Sequence, residues 1–489
     1  MYTFRLVIVA LCAHACVVSA LAADTPNVIL VMADDMGWGD TGFNGNKAIR
    51  TPHLDAMARN SLRFERFYAA SAVCSPTRGS CLTGRHPSRY GIFSANVGHL
   101  PAEEVTIQSL LKAKGYTTGH FGKWHLGTLT KTEKDANRGG PGGAQHYAPP
   151  WERGFDENFS TESKVPTWDP LWRPNGEKGG TWWDPIAPDA DPRKAASSYG
   201  TAYWSHGKRI EEDLRGDDSK VIMDRALAFI EGAVKEKKAF FTVIWFHAPH
   251  LPVVAGPDYT KHYKDEDKHS QHYKGCITAL DEQVGRLRDT LRKLDVAQNT
   301  MVWYCSDNGP EGNSNAPGSA GDLRGRKRDV FEGGVRVPGL LEWPAMIKEA
   351  RSTDVPAVTS DYLPTIVEAL NLTLPDDRPL DGISLMPLIK GQMKERPRPI
   401  AFDYGGMAAL TDNRYKLMVP SAAIGGTGSK KKRDGAAMLF DIHADRGESK
   451  NLADAHPDIV KRMKAQLEAW AASCENSRSG ADYRSGLGK

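Results

Sequence analysis

The strongest constraint on this chain is a set of unbroken apolar runs that each stop at polar, chemistry-bearing residues. Asn27-Val-Ile-Leu-Val-Met-Ala33 runs into Asp34-Asp35, Ala239-Phe-Phe-Thr-Val-Ile-Trp-Phe246 into His247, and Thr300-Met-Val-Trp-Tyr-Cys305 into Ser306-Asp307-Asn308. A weaker version, Tyr116-Thr-Thr-Gly-His-Phe-Gly122, leads to Lys123-Trp124-His125. Continuous rather than alternating hydrophobicity marks strands buried on both faces, as in a parallel sheet covered by helices. Between the runs, Ile277, Leu280, Val284, Leu287, Leu291 and Leu294 recur at helical spacing and form one apolar stripe. Strands alternating with such helices predict an α/β fold: a large, mostly parallel sheet sandwiched by helices. In that architecture ligands bind beyond the carboxyl ends of the strands, which is where the acids, histidines and lysine accumulate.

The rest of the chain divides around this core. The apolar run over residues 6–18 follows Arg5, ends in Ser19-Ala-Leu-Ala22 and is short for a bilayer span. It reads as a signal peptide over residues 1–22, so the protein is expected to be exported to a periplasmic or extracellular location, or to a lysosome in a eukaryotic host, without stable membrane insertion. A catalytic domain is expected over 23–385. Within it, the Gly/Pro/Trp-rich segment at about 139–204 reads as an irregular insertion whose Trp151, Trp168, Trp172, Trp182, Trp183 and Trp204 serve either packing or stacking on sugars. A smaller C-terminal α+β domain, built on an antiparallel sheet, is expected over 386–489, closed by a helix with Ile459, Met463, Leu467 and Trp470 on one face. With 63 basic against 60 acidic side chains the net charge is only +3, which argues against a nucleic-acid partner. The basic stretch Ser429-Lys-Lys-Lys-Arg433 reads as a solvated loop, with contact to an anionic polymer as the alternative. The mature cysteines Cys74, Cys81, Cys276, Cys305 and Cys474 show no C-x-x-C spacing, so neither a zinc ribbon nor a dithiol redox site is indicated, and their pairing stays open.

Asp34, Asp35, Asp307 and Asn308 offer four hard oxygen donors from two strand ends, a set suited to Ca²⁺ or Mg²⁺ rather than zinc. Around Cys74 the chain reads Cys74-Ser-Pro-Thr-Arg78-Gly-Ser-Cys-Leu82-Thr-Gly-Arg85. Pro76 suits a first helical turn and Gly84 a helix stop, so Cys74 is placed at a helix N-terminus, where partial positive charge favours an anionic oxygen or sulfur. Arg78 falls on the same face one turn along.

These motifs occur together with Asp34-Asp-Met-Gly-Trp-Gly-Asp40, Gly122-Lys-Trp-His-Leu-Gly127, His247-Ala-Pro-His250, Ser306-Asp-Asn-Gly309, Leu323-Arg-Gly-Arg-Lys327 and Glu332-Gly-Gly-Val-Arg336. Leu439-Phe-Asp-Ile442 and Asn451-Leu-Ala453 close the pattern. Across almost the whole mature chain this resembles the type I sulfatases of the alkaline phosphatase superfamily, the arylsulfatases and N-acetylgalactosamine-6-sulfatases. The resemblance implies hydrolysis of a sulfate ester, on a sulfated carbohydrate as the expected substrate, and conversion of Cys74 to Cα-formylglycine by a maturation enzyme that recognises Pro76 and Arg78. A formylglycine aldehyde hydrates to a geminal diol, one oxygen of which attacks sulfur while the other later expels sulfate; a serine would be left as a stable sulfate ester. Cys74 as formylglycine, Asp34, Asp35, Asp307 and Asn308 are then expected to ligate one Ca²⁺, with Mg²⁺ as the alternative. Lys123, Lys327 and His247 are expected to bind the sulfate, with His247 or Lys327 protonating the leaving alcohol. Asp307 is to help deprotonate the nucleophile, His125 to act as base in sulfate release, and Arg78 to orient the nucleophile. His250 is expected to contact substrate or to support those that do, and Glu332 with Arg336 to hold the loop carrying Lys327. Two other readings compete: a phosphate or phosphonate monoester hydrolase using the same machinery, and a catalytically silent carbohydrate-binding relative.

Overall fold

The computed structural model describes residues 25–425 and 435–483. The expected signal peptide and the basic stretch at 429–433 lie outside the described residues.

The apolar runs become the middle of a ten-stranded sheet. Its strands are β1 Asn27–Ala33, β2 Leu62–Phe64, β3 Thr117–Lys123, β4 Glu157–Thr161, β5 Tyr203–Ser205, β6 Lys208–Ile210, β7 Phe240–Trp245, β8 Thr300–Ser306, β9 Gly339–Glu342 and β10 Arg351–Thr353, in the spatial order β10-β2-β9-β8-β1-β7-β3-β4-β5-β6. The five strands from β8 to β4 are all parallel, and antiparallel strands flank them. Register puts the functional ends level: Ala33 lies opposite Ser306, Met32 opposite Trp245, and Lys123 opposite Thr161. Gly122 is required where β3 leans on β7, because a Cβ there would overlap the Trp245 carbonyl and its φ is +105°.

Both faces of the sheet are dry. Val28, Leu30 and Met32 point to one side with Leu82 and Trp303, and Ile29 and Val31 to the other with Ile222, Ile277, Leu280 and Val284. Full burial of each such side chain stabilises the fold by about 1.5–3 kcal/mol. The first face is covered by helix α1, Cys74–Thr83, among others. The second is covered by α2, Asp218–Lys235, and α3, Lys268–Lys293, whose stripe is the one legible in the sequence. No helix of the described residues is long and apolar enough to cross a membrane.

Four antiparallel strands, β11 Ile400–Tyr404, β12 Met407–Thr411, β13 Tyr415–Pro420 and β14 Met438–Asp441, form a second sheet. Helix α4, Pro457–Arg478, covers one of its faces with Met463, Leu467 and Ala471. The other face packs on Tyr68 and Val335 of the main body. The apolar core of that body continues past 385, through Met386, Leu388 and Ile389.

Segment 139–204 differs from the expectation of an irregular insertion: it supplies β4 and most of β5 to the main sheet. β4 reads Glu-Asn-Phe-Ser-Thr, and its buried Ser160 is hydrogen-bonded to His120 of β3 at 2.7 Å, so polar pairing inside the sheet hides the strand from an apolar pattern. Most of the tryptophans there pack. Trp183 and Trp204 are buried, Trp182 stacks on His272, and Trp168 lies against Gly256.

Candidate active site

Beyond the carboxyl ends of β1, β3 and β8 the structure gathers Asp34, Asp35, Lys123, Asp307 and Asn308, and α1 brings Cys74 to them as its first residue. Ligand atoms of Asp34, Cys74 and Asp307 lie within 4.8 Å of one another, and so do those of Asp34, Asp35 and His250. All of these residues are buried except His250, which is partly exposed.

Ion pairs tie the cations to the acids. Lys123 Nζ is 2.5 Å from Asp34 Oδ2, Lys327 Nζ is 2.7 Å from Asp35 Oδ1, and Arg78 Nη2 donates to Asp307 Oδ2 at 2.6 Å. Arg78 also donates Nη1 to the Lys123 carbonyl at 3.0 Å and sits over the Trp245 ring. It is fully buried, so it braces Asp307 from behind rather than facing solvent. Glu311 is a second partner of Lys327, at 3.1 Å. Asn308 Nδ2 donates to Asp35 Oδ1 at 2.7 Å.

Two buried oxygens remain without a hydrogen-bond partner, Asp34 Oδ1 and Asn308 Oδ1. Unmet buried oxygens beside three acids, with no imidazole or thiolate needed to complete the set, fit a hard divalent cation. The titration of the acids agrees. Burial opposes ionisation of Asp34, yet Lys123, His250 and Arg78 together hold its carboxyl well below the usual range. Asp307 is pushed up to about 7 by burial and by the Asp34 charge beside it. A carboxyl held protonated by its ionised neighbour is what additional positive charge between Asp34 and Asp307 would relieve.

Burial pushes the Cys74 thiol up against the pull of Lys123 and Lys327, which makes an unmodified thiol a poor nucleophile. His125 is buried, with Nε2 3.0 Å from Asn96 Oδ1 and Nδ1 unpartnered. Burial, then Lys123, hold it well below the usual histidine range, so its ring is neutral.

Of the two histidines of His247-Ala-Pro-His250, the first is placed differently from the role expected of it. His247 is wedged between Asp218 Oδ2, 2.8 Å from Nδ1, and Thr161 Oγ1, 2.7 Å from Nε2, so neither ring nitrogen is open to an ester. His250 instead has Nε2 3.6 Å from Asp35 Oδ2, with Nδ1 2.6 Å from the Leu251 carbonyl. A turn of three residues decides which histidine faces the acids, and spacing alone does not encode it.

A family model described as Sulfatase matches residues 26–372. The chain belongs to the sulfatase family. Steryl-sulfatase of Rattus norvegicus is 31% identical over 432 residues, covering 78% of this chain and 73% of the relative. N-acetylgalactosamine-6-sulfatase of Homo sapiens is 32% identical over 418 residues, covering 81% and 72%. Among solved structures, Ps i-CgsB in complex with k-i-k-neocarrahexaose matches with a TM-score of 0.76 at 26% identity, covering 94% of this chain and 97% of that one. The mostly parallel sheet with its smaller antiparallel companion is the alkaline phosphatase-like architecture that the motifs implied.

The sulfatase site also contains residues that its sequence did not announce. Asp218 and Thr161 hold His247, Asn96 holds His125, and Glu311 shares Lys327 with Asp35. Only Glu311, three residues beyond Asn308, carried a signal by proximity to a motif. Lys164 stands within the electrostatic reach of Lys123, Lys327, Asp35 and Asp34 and had no signal at all. Glu332 and Arg336 pair with each other, at 3.5 Å, and Glu332's other partners are Lys416 and Tyr68 rather than groups of the site.

Proposed function

We propose that this sulfatase hydrolyses a sulfate monoester of a carbohydrate after export, using Cys74 as formylglycine and one Ca²⁺ held by Asp34, Asp35, Asp307 and Asn308. The observation that carries the reading is the meeting of Cys74, at the start of α1, with Asp34 and Asp307 within 4.8 Å. When bound, the cation supplies Lewis-acid stabilisation of charge on the sulfate oxygens. The carbohydrate assignment is supported by likeness to a relative named for N-acetylgalactosamine 6-sulfate and to a structure holding k-i-k-neocarrahexaose.

The side chains divide the work. One hydroxyl of the residue 74 diol attacks sulfur, forming a sulfur–oxygen bond as the ester's sulfur–oxygen bond breaks, and Asp307, braced by Arg78, accepts the nucleophile's proton. Lys123 and Lys327 offset charge on the sulfate oxygens. His250, in place of His247, meets the leaving oxygen together with Lys327, and the alcohol departs with a proton from that side. His125 then removes the proton of the remaining hydroxyl, the carbonyl reforms, the carbon–oxygen bond to sulfate breaks, and sulfate leaves.

The test is the mass of the peptide containing residue 74 in protein from a host with a formylglycine-generating enzyme, alongside sulfate release from a panel of sulfated sugars. An aldehyde at 74 and sulfate release are expected; an unmodified thiol in active enzyme, or cleavage of phosphate esters alone, overturns the reading. His250→Ala is expected to slow sulfate esters of poor leaving alcohols more than those of acidic phenols, because only the former need a proton. Equal losses on both remove His250 from proton delivery.

A further inference from the structure

The cations set among the acids of the site have anionic partners, and one further lysine within their electrostatic reach has none among the described residues. Lys123 is paired with Asp34, Lys327 with Asp35 and Glu311, and Arg78 with Asp307. Lys164 lies three residues beyond the end of β4, whose last residue, Thr161, is opposite Lys123 in the sheet. Its backbone is held in place on both sides. Thr161 Oγ1 donates to the Ser163 carbonyl at 2.7 Å, Val165 is buried, and Asn137 Nδ2 donates to both Ser163 Oγ and Asn96 Oδ1, the latter also the partner of His125. The nearby acid Glu162 is taken by Arg138. Lys164 itself is half-buried and makes no hydrogen bond or ion pair among the described residues. Burial, then the charges of Lys123 and Lys327, lower its affinity for a proton against the pull of Asp35 and Asp34.

A half-buried ammonium that gives up part of its hydration without a partner is costly to keep unless an anion arrives to pair with it. Lys123 and Lys327 share their charge between the acids and the sulfate, whereas Lys164 has no anionic partner among the described residues to share with. The geometry points to Lys164 as a substrate-binding residue that takes an anionic sulfate oxygen of the substrate, an assignment that rests on the function proposed above. The oxygen belongs either to the ester being cleaved or to a second sulfate on the same sugar chain, and the two sources separate by experiment.

The binding test uses the full mature chain with Cys74→Ala, which holds ligand without turnover, and calorimetry with inorganic sulfate, a monosulfated galactose and a disulfated galactose. Adding Lys164→Gln is expected to weaken binding by about tenfold or more, the scale of a charge-assisted hydrogen bond, and Lys164→Arg to restore most of it. Weakening toward inorganic sulfate and both sugars assigns Lys164 to the scissile group, and weakening confined to the disulfated sugar assigns it to the second. In enzyme with residue 74 intact, Lys164→Gln is expected to raise KM more than it lowers kcat. Affinities equal to those of the parent for all three ligands, with Lys164→Gln melting normally, overturn the assignment while leaving the sulfatase reading in place. A parent that binds none of the three and releases no sulfate overturns both.

Discussion

Two of the buried clusters of opposite charges among the described residues differ in what is left over. The first is the site at the ends of β1, β3 and β8. The second joins the antiparallel sheet to the main body: Lys416 of β13 lies 3.0 Å from Glu332 Oε1 and 3.1 Å from Glu448 Oε1, Glu332 Oε2 accepts from the Tyr68 hydroxyl at 2.9 Å and faces Arg336, and Glu448 Oε2 accepts from the Glu332 backbone at 2.7 Å. In this second cluster each carboxylate oxygen has a hydrogen bond or an ionic partner. In the first, Asp34 Oδ1, Asn308 Oδ1 and the Lys164 ammonium do not. Composition hardly separates the clusters, since both mix acids with lysine and arginine at full burial. Unmet valence separates them: a closed network has nothing to offer a ligand, and an open one asks for a cation among its acids and an anion among its bases.

The largest expected effect tests the open cluster. Cys74→Ala should cut turnover of a sulfate ester by about 10⁴-fold or more while the melting temperature stays near that of the parent, because the residue removed is the proposed nucleophile and not a structural partner. Glu332→Ala should do the reverse. Stripping one side from a buried pair leaves Lys416 and Arg336 short of a partner at a cost of about 3–5 kcal/mol, seen in chemical denaturation, with activity per folded molecule retained. If Glu332→Ala were harmless, the second cluster would not be the closed structural network described here.

Removal of divalent cations should distinguish the clusters without mutation. Chelation is expected to abolish activity and lower the melting temperature, and Ca²⁺ added at a hundred times its dissociation constant should return about 2.7 kcal/mol. Asp34→Asn should lose that response, whereas Lys416→Met should keep it. The smallest effect is in pH. Burial, opposed by Lys416 and reinforced by Glu332, pushes the Glu448 carboxyl up from its ordinary 4.5 to about 7. A group raised in the folded state contributes stability that is full below 4.5 and is lost as pH climbs through about 7. Glu448→Gln should therefore flatten part of the fall in melting temperature between those two pH values, and an unchanged slope would show that Glu448 is not held protonated.

Much of this was legible along the chain. The runs that became β1, β7 and β8 are apolar over most of the residues that are dry on two faces, Thr242 of β7 being an exception, and α3 turns Ile277, Leu280, Val284, Leu287 and Leu291 into the core under the sheet. The start of α1 at Cys74 and its end at Gly84, with φ +68°, follow from local backbone chemistry that Pro76 and the glycine impose. β4 escaped notice because its buried polar residues pair with groups on other elements rather than with water. The closed cluster escaped because Tyr68, Glu332, Lys416 and Glu448 are separated by up to 380 residues. Local signals report on near neighbours and on burial by periodicity, and neither carries partners so far apart.

Identity of the site is thus a property of the sequence: strands that end in acids, a cysteine at a helix start, a lysine and histidine after the next strand. Its working state is a property of the tertiary structure. Only the folded chain determines that His250 faces Asp35 while His247 is locked between Asp218 and Thr161, and that Lys164 is left without a partner among the described residues. Which hydrogen bonds are already spent depends on every element that packs around a group, and that count exists only once the whole chain has closed around it.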